Sequence, residues 1–245
     1  MTYKAEKIVP YSSDENKGVQ VERMFDSIAE NYDSLNHTMS IGIDRSWRKK
    51  GISMLKKLKP EKILDIATGT GDLAIDAYKI LKPDSILGID ISEGMMDIGR
   101  KKVEERGLSK YIFFDKQDCM ALELEDNSFD AAMVAFGVRN FEDLDKGLRE
   151  ILRVLKPGGQ LMILELTTPE YFPMKQGHWL YTRIFIPSIG RFISKDKAAY
   201  SYLPKSIGAF IQGKDMVNTL LKNSFKEAYH KTYTLGACTM YLATK

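Results

Sequence analysis

The chain has few of the features that mark several large classes of protein. Its 245 residues include only two cysteines, Cys119 and Cys238, which have no C-x-x-C partner and no nearby histidine. A disulfide framework and a zinc site are therefore not expected. The sequence contains no run of about 18 apolar residues, the length that a membrane-spanning helix needs. A formal net charge of +3 is too small to indicate nucleic-acid binding.

The N-terminal region lacks the continuous apolar core of a signal peptide, so we expect a cytoplasmic protein. Residues 1–18 are polar and are expected to form a flexible lead-in. What the chain does have is an ordinary globular composition, with 44% hydrophobic and 28% charged residues, which excludes disordered and fibrous classes. A length of 245 residues suits one large α/β domain better than two domains.

Helical and extended patterns alternate along most of the sequence. Residues 21–32 carry apolar side chains on one helical face, and a polar stretch at 36–42 separates them from a second helical pattern that continues to Leu58. Five short apolar runs follow, separated by segments of helical length. They span 62–66, 86–90, 111–114, 130–136 and 160–166, and two further extended segments, 225–233 and 237–244, close the chain.

Apolar strands that alternate with helices predict a parallel sheet that is covered on both faces. We therefore predict an α/β fold of the Rossmann-like class, with a mostly parallel seven-stranded sheet and an antiparallel closing strand. A single domain is expected over residues 19–245. Within it, the helices of 19–60 would form a cover and residues 169–212 an inserted lid.

The strongest local signal is the segment DIATGTGD at residues 65–72, where a predicted strand becomes a helix. Gly69 and Gly71 allow a tight turn and a close approach of the backbone to a ligand at the helix N-terminus. Asp90 ends the next predicted strand, where its carboxylate could accept both hydroxyls of a ribose. The position of these residues predicts a site for a nucleotide-containing cofactor.

Two cofactor classes compete for this site, because the same glycines also fit the G-x-G-x-x-A pattern of NAD-type dehydrogenases. Asp65 argues against NAD, since its carboxylate would repel a pyrophosphate but attract the cationic methionine end of S-adenosylmethionine. Asp118, after the third strand, could accept from an adenine amino group or could simply form a turn, and Cys119 is expected to be a small wall residue. The chain also lacks a second catalytic domain. The residues thus favour a class I methyltransferase that uses S-adenosylmethionine.

Over residues 19–245 the sequence resembles the UbiE/MenG family, the C-methyltransferases of quinone biosynthesis. The pairing of SIAENYD at 27–33 with FGVRN at 136–140 is specific, whereas RVLKPGG at 153–159 occurs in many methyltransferases. The other motifs that carry the resemblance are VERMFD at 21–26, MSIG at 39–42, DIATGTGDL at 65–73, GIDISEGM at 88–95, DNSFD at 126–130 and the alanine before FGVRN.

This resemblance implies methyl transfer from S-adenosylmethionine to a ring carbon of a polyprenylated quinol, with demethylmenaquinol favoured as the substrate. A ubiquinone precursor, another small hydrophobic acceptor, or a non-catalytic assembly protein remain as alternatives. A sulfonium methyl needs only alignment with its acceptor, so no metal is expected. The implied cofactor contacts are Thr70 in the glycine turn, Asp90 at the ribose, and Asp118 with Cys119 near the adenine. Ala135 stands where some relatives have a serine.

The acceptor side of the site is predicted from residues near the carboxyl edge of the sheet. Arg139 and Asn140 follow the fourth strand. We expect Arg139 to stabilise the quinolate, directly or through a water, Asn140 to orient the ring oxygen, and Tyr32 to close the pocket. The alternatives are that Arg139 is a solvated residue paired with Glu142 or Asp143, and that Tyr32 is an ordinary core aromatic.

The sequence departs from the family pattern N-D-x-M-S-x-G-x-H-R-x-W, which here reads NHTMSIGIDRSW from residue 36. A histidine, His37, and an aspartate, Asp44, have exchanged places. The chemistry of the pair would survive the exchange if the two side chains meet in space. The C-terminal pattern G-G-I-V-A-L-H is also altered, to LGACTMY at 235–241.

The composition of the inserted region favours contact with a membrane surface. Residues 171–195 contain no acidic residue, and aromatic side chains alternate with basic ones. This combination suits an anionic lipid surface, although a lid whose aromatics pack over the sheet is an equal alternative. The expected partners are thus a polyprenylated quinol and the cytoplasmic membrane face, without nucleic acid. The basic residues are Lys175, Arg183, Arg191 and Lys195, and the aromatic ones include Tyr171, Phe172, Trp179, Tyr181, Phe185 and Phe192.

Overall fold

The structure, a computed structural model, describes residues 2–11, 14–40, 42–169, 172, 174–180 and 197–245. The strands, in chain order, are β1 (Lys62–Ile66), β2 (Ser85–Asp90), β3 (Ile112–Lys116), β4 (Phe129–Ala135), β5 (Leu155–Leu166), β6 (Glu227–Tyr233) and β7 (Cys238–Thr244). The helices are α1 (Lys17–Ser40), α2 (Ile43–Met54), α3 (Asp72–Leu81), α4 (Glu93–Glu105), α5 (Leu144–Val154), α6 (Met174–Leu180), α7 (Lys197–Ala209) and α8 (Lys214–Lys222).

The strands form one seven-stranded sheet in the order β3-β2-β1-β4-β5-β7-β6. The pairs from β3 to β5 are parallel, and β7 runs antiparallel to both of its neighbours. The predicted fold class is therefore confirmed. Ile66 at the end of β1 pairs with Ile89 of β2 and with Val134 of β4. The carboxyl ends of three central strands thus lie side by side, which brings together the segments that follow them.

Each face of the sheet carries its own hydrophobic core. Met133 and Val134 are adjacent on β4 and fully buried, but they belong to opposite cores. One core contains side chains of α5 and α8, and the other contains side chains of α2, α3 and α4. This alternation is the reason that the central strands read as continuous apolar runs.

A third cluster joins α1 to α7. Its buried members are Val21, Met24, Leu35, Ala199, Tyr200 and Tyr202. The first helix and the inserted region therefore pack against each other. None of the helices in the described part of the chain has the length and apolar character needed to cross a membrane.

The N-terminal segment differs from the prediction of a flexible lead-in. Residues Lys4–Lys7 form a 3-10 helix, and Ala5 is buried. The ammonium of Lys17, itself buried, donates to the carbonyl oxygens of Ala5 at 2.7 Å and of Arg139 and Phe141 at 3.2 Å each. The N-terminal segment is therefore held against the rest of the protein although its sequence is polar. Buried carbonyl groups need a hydrogen-bond donor, and Lys17 supplies it.

The first helix is also longer than predicted. The polar stretch at 36–42 separates the two helical patterns in the sequence, but α1 continues through most of it, to Ser40. No glycine or proline interrupts residues 36–40, and the chain turns only near Gly42, whose φ of +73° is a left-handed conformation. The last turn of α1 thus lies next to the first turn of α2.

Most of the predicted basic and aromatic insertion lies outside the described residues, except for Phe172, Lys175 and neighbours in α6.

Candidate active site

The glycine turn after β1 has the geometry that its sequence predicts. Gly69 and Gly71 have φ values of +54° and +76°, which few side-chain-bearing residues adopt. A Cβ at Gly71 would also lie 2.9 Å from the ring of Phe114. The turn therefore requires glycine at residue 71 for two separate reasons. Helix α3 begins at the next residue.

Asp90 connects this turn to the end of β2 by hydrogen bonds. Its Oδ2 accepts from the amide of Gly69 at 2.8 Å, and its Oδ1 accepts from the amide of Ser92 at 2.9 Å. Burial raises the pKa of Asp90 above its usual value. The carboxylate lines a small cavity of about 90 Å³. Its oxygens have further lone pairs that can accept hydrogen bonds from the hydroxyls of a ribose in this cavity.

Asp118 and Cys119 line the same small cavity. The exposed Asp118 accepts from the amide of Met120 at 2.9 Å, so it forms a turn and also faces the cavity. Burial raises the pKa of the Cys119 thiol well above its usual value, so the side chain is protonated at neutral pH. A neutral thiol fits the predicted role of a wall residue.

Asp65 lies behind the turn. It is fully buried, and its Oδ2 accepts from the hydroxyl of Thr68 at 2.7 Å. Its Oδ1 has no hydrogen-bond partner among the described residues. Burial raises the pKa of Asp65 to about 7. Thr68 lines a second, larger cavity, whereas Asp65 lines neither this cavity nor the smaller one.

The larger cavity measures about 840 Å³. It shares five lining residues with the smaller one, so the two spaces meet beside the glycine turn. Much of the remaining wall is apolar. The shared residues are Tyr32, Ala67, Gly69, Ala135 and Phe136, and apolar side chains elsewhere on the wall include Met39, Ile43, Trp47, Leu166, Leu203 and Ile207.

Arg139 lines the larger cavity but is not solvated, since it is only 6% exposed. Its guanidinium donates to Oε1 of the fully buried Glu165 at 2.7 Å and to the carbonyl of Phe136. The Nε–H group is buried and has no partner in the described part of the chain. Glu142 and Asp143, the expected alternative partners, bond instead to the amides of Gly18 and Lys146.

The other two predicted acceptor-side residues are also close to the cavities. Asn140 lines the smaller cavity, and its Oδ1 accepts from the hydroxyl of Tyr202 at 3.0 Å. Tyr32 lines both cavities, and its ring meets the edge of Phe25 with centroids 5.9 Å apart. Burial raises the pKa of the Tyr32 hydroxyl. Tyr32 is thus an aromatic packing residue that also faces the site.

The exchanged histidine and aspartate do meet in space. Nδ1 of His37 lies 3.5 Å from Oδ1 of Asp44, and both residues line the larger cavity. Asp44 is buried, and it accepts from the hydroxyl of Ser40 at 2.6 Å and from the guanidinium of Arg48 at 2.6 Å. The altered motif therefore keeps an imidazole next to a carboxylate.

Comparison with known proteins agrees with this geometry. The profile of the ubiE/COQ5 methyltransferase family matches residues 12–245. The chain belongs to this family. It is 57% identical over 245 residues to a demethylmenaquinone methyltransferase of Bacteroides fragilis, with all of both chains covered. It is 46% identical over 241 residues to a protein of the same name from Porphyromonas gingivalis, with 98% of each chain covered.

Solved structures agree on the fold of this family member. A methyltransferase from Thermotoga maritima, described as dependent on S-adenosylmethionine and as a possible histamine N-methyltransferase, superposes with a TM-score of 0.62. The match covers 91% of this chain and 99% of that one at 18% identity. As a member of the ubiE/COQ5 family, this chain is an S-adenosylmethionine-dependent methyltransferase. S-adenosylmethionine is cationic and contains a ribose. The Asp65 oxygen without a partner among the described residues and the Asp90 carboxylate are hydrogen-bond acceptors that fit such a molecule.

Sequence reasoning missed several residues that build the site of this methyltransferase. Glu165 is the buried partner of Arg139, and a carboxylate inside the apolar run LMILEL was the available signal, because such a group needs a buried partner. Asp33 on α1 accepts from the hydroxyl of Thr70 in the glycine turn at 2.6 Å. Asp26, two helical turns earlier, accepts from the hydroxyl of Ser92 at 2.6 Å. Acidic residues spaced along one face of α1 were the signal for these contacts.

Proposed function

We propose that this methyltransferase transfers a methyl group from S-adenosylmethionine to a ring carbon of demethylmenaquinol and thereby forms menaquinol. The observation that carries the proposal is the junction of the two cavities. A small space beside the Asp90 carboxylate adjoins, next to the glycine turn, a space of about 840 Å³ with a largely apolar wall. The second space suits a hydrophobic ring with a prenyl tail. The names of the relatives in Bacteroides and Porphyromonas support the same substrate.

On the cofactor side, bound S-adenosylmethionine supplies an electrophilic methyl group on its sulfonium. We propose that Asp90 accepts from the ribose hydroxyls and that Asp118 and Cys119 flank the adenine. Asp65, behind the turn, would attract the cationic methionine end, because one of its oxygens has no partner among the described residues. The glycine turn with Thr70 and the small side chain of Ala135 would leave room for the molecule to approach the sheet edge.

On the acceptor side, we propose that Arg139 stabilises the ionised quinol. A phenol-type hydroxyl with a pKa near 10 must lose its proton, or be strongly hydrogen-bonded, before the ring carbon becomes a good nucleophile. Glu165 holds the guanidinium in place, and the unpartnered Nε–H is a donor for a substrate oxygen or a bridging water. Asn140, held by Tyr202, would orient the ring oxygen, while Tyr32 would close the pocket between the two cavities.

We further propose that residues 169–212 form a lid that contacts the cytoplasmic face of an anionic membrane. Residues of α6 and α7 line the larger cavity, so this region covers the space that we assign to the quinol. Phe172 is 81% exposed and Lys175 is also exposed, which leaves an aromatic and a basic side chain free to meet lipid headgroups. A peripheral position would give the enzyme access to a lipid-tailed substrate.

The test is an assay with two chemically reduced acceptors, demethylmenaquinol and the demethylated benzoquinol precursor of ubiquinone, each with S-adenosylmethionine. We expect a methylated product from the first acceptor only, identified by mass and by the loss of one ring proton. The oxidised demethylmenaquinone should be inert, because its ring is electron-poor and has no phenolic proton to lose. Methylation of the benzoquinol alone, or of neither quinol, would contradict the proposed substrate.

A further inference from the structure

The pair formed by His37 and Asp44 lies where two helix ends meet. His37 is in the last turn of α1 and Asp44 in the first turn of α2, on either side of the left-handed Gly42. Nδ1 of the imidazole faces Oδ1 of the carboxylate at 3.5 Å. Catalytic hydrogen bonds are often this long in the absence of substrate and shorten in the complex, so this spacing is compatible with an orienting contact.

The two partners are held very differently. The side chain of Asp44 is held by the hydroxyl of Ser40 and by Arg48, and the same guanidinium also bonds Asp76 at 3.0 Å and Asp72 at 3.3 Å. The side chain of His37 is 38% exposed and lines the larger cavity. A carboxylate beside Nδ1 favours the tautomer with the proton on that nitrogen, in which Nε2 is the proton acceptor.

The position of His37 along α1 relates it to the cofactor turn. Asp33, one helical turn earlier, accepts from the hydroxyl of Thr70 in that turn, and Tyr32 lines both cavities. Residues four apart on a helix have Cβ atoms about 5 to 6 Å apart. The imidazole thus lies on the acceptor side of the junction, within the space that we assign to the quinol.

We propose that His37 is the proton acceptor for the substrate hydroxyl, with Asp44 as the positioning residue that orients its ring; this proposal rests on the proposed function. The O–H bond of the quinol breaks, its proton moves to Nε2, and the electron pair stays on the oxygen, from which charge is delocalised onto the ring carbon. As the new C–CH3 bond forms, the S–CH3 bond breaks and its electron pair stays on sulfur. The ring C–H bond then breaks: its proton leaves to solvent and its electron pair restores the aromatic quinolate, whose oxygen takes the proton back from the imidazolium.

Other groups on the cavity wall are poorly suited to this role. Asp33 and Asp72 pair with Lys102, and arginine side chains have no lone pair to accept a proton. Burial raises the pKa of Tyr32, so that side chain is neutral and a weak base. Among the described lining residues, the charged groups other than the pair itself are Asp33, Arg45, Arg48, Asp72, Lys102, Arg106 and Arg139.

The test compares His37→Gln with a matched control, His230→Gln, which removes a histidine from β6 outside both cavities. With demethylmenaquinol, we expect His37→Gln to lower kcat by about 10² to 10⁴-fold, the range for loss of a general base. KM and the Kd of S-adenosylmethionine should change little. The acid limb of the parent pH profile should be replaced by a steady rise with hydroxide concentration. Added imidazole should restore part of the activity of His37→Gly, and His230→Gln should behave as the parent.

A His37→Gln enzyme that keeps kcat within a few-fold of the parent, with the same pH profile, would overturn the proposal. A second measurement separates this outcome from failure of the proposed substrate. Binding of 1-naphthol, followed by its absorbance change on ionisation, reports proton transfer without turnover. We expect the parent to ionise the bound naphthol at lower pH than His37→Gln does. Equal ionisation by both proteins would remove the base role, whatever quinol the parent methylates.

Discussion

The two cavities that meet at the glycine turn are built in different ways. The smaller one is bounded by α1 and by the segments that follow β1 to β4, and its carboxylate, Asp90, is held by the backbone amides of Gly69 and Ser92. The larger one is bounded by helices that are far apart in the chain, and its charged groups are held by other side chains, as in the pair of Arg139 with Glu165. Backbone contacts survive most substitutions, whereas side-chain networks fail when one partner is lost. The cofactor half should therefore respond to mutation in affinity, and the acceptor half in turnover and stability.

The largest effect is expected in the cofactor half. Asp90→Ala should weaken the binding of S-adenosylmethionine by about 3 to 6 kcal/mol, because two hydrogen bonds to a charged acceptor are lost at about 1.5 to 3 kcal/mol each. Isothermal calorimetry measures this change. Asp84→Ala, which removes an exposed carboxylate near the other end of β2, is the control and should bind normally. Unchanged affinity in Asp90→Ala would remove Asp90 from the site.

The next effect belongs to the acceptor half and appears in stability. Glu165→Leu should lower the free energy of unfolding by about 3 to 5 kcal/mol, because it leaves the buried guanidinium of Arg139 without its partner. Urea unfolding of the purified protein measures it, with the exposed Glu227→Leu as the control on β6. A loss similar to that of the control would mean that the ion pair does not hold Arg139.

A third effect concerns Asp65, which lies behind the glycine turn. Burial raises its folded-state pKa from 3.8 to about 7, so the folded protein holds a proton that the unfolded chain has released between these pH values. The stability that this proton confers is fully present below about pH 4 and is lost as the pH rises through about 7. The ionised carboxylate attracts a cation, so the affinity for S-adenosylmethionine should rise by up to about tenfold per pH unit until about pH 7.

Calorimetry and thermal unfolding between pH 5 and 8 test both trends for Asp65. In Asp65→Asn the pH dependence of affinity and of cofactor-free stability should flatten together. A variant that retains the parent slopes would show that another group titrates in this range.

The smallest effect per residue is expected at the lid. Replacement of the four basic residues of 171–195 by Gln should weaken binding to anionic vesicles by about 1 kcal/mol for each charge and leave cofactor affinity intact. A vesicle co-sedimentation assay measures the loss. The control removes four exposed lysines elsewhere, namely Lys49, Lys56, Lys57 and Lys101. Absence of vesicle binding by the parent would end the membrane proposal.

The same contrast explains what the sequence could predict. The strands, the glycine turn and Asp90 follow from local patterns, since apolar runs, turn residues and strand ends are encoded by neighbours in the chain. The pair of Arg139 with Glu165 joins residues on different elements, and no periodicity specifies it. The docking of the N-terminal segment through Lys17 has the same origin, because a lone lysine in a polar stretch gives no sign of the carbonyl groups that it will meet.

Their positions near the carboxyl edge of the sheet and on the first helix identified Arg139, Asn140 and Tyr32 as candidates, but not the residues that hold them. Tyr202, which donates to Asn140, comes from the inserted region, and its role depends on how that region folds back. The exchange of His37 and Asp44 could be read from the motif, yet their proximity depended on the helix ends around Gly42. Pairwise geometry between distant segments was thus the part that the sequence alone did not contain.

The central claim is that methyl transfer takes place at the junction of the cavities, on a quinol whose charge is stabilised by Arg139. Steady-state kinetics of Arg139→Lys with demethylmenaquinol test it most directly. Lysine keeps the charge but loses the planar group that can hold an oxygen and a water together. We predict a fall in kcat of about 10² to 10³-fold with little change in KM, and residual activity that rises with pH where the parent is already constant. Near-parental kcat with the parental pH profile would contradict the claim.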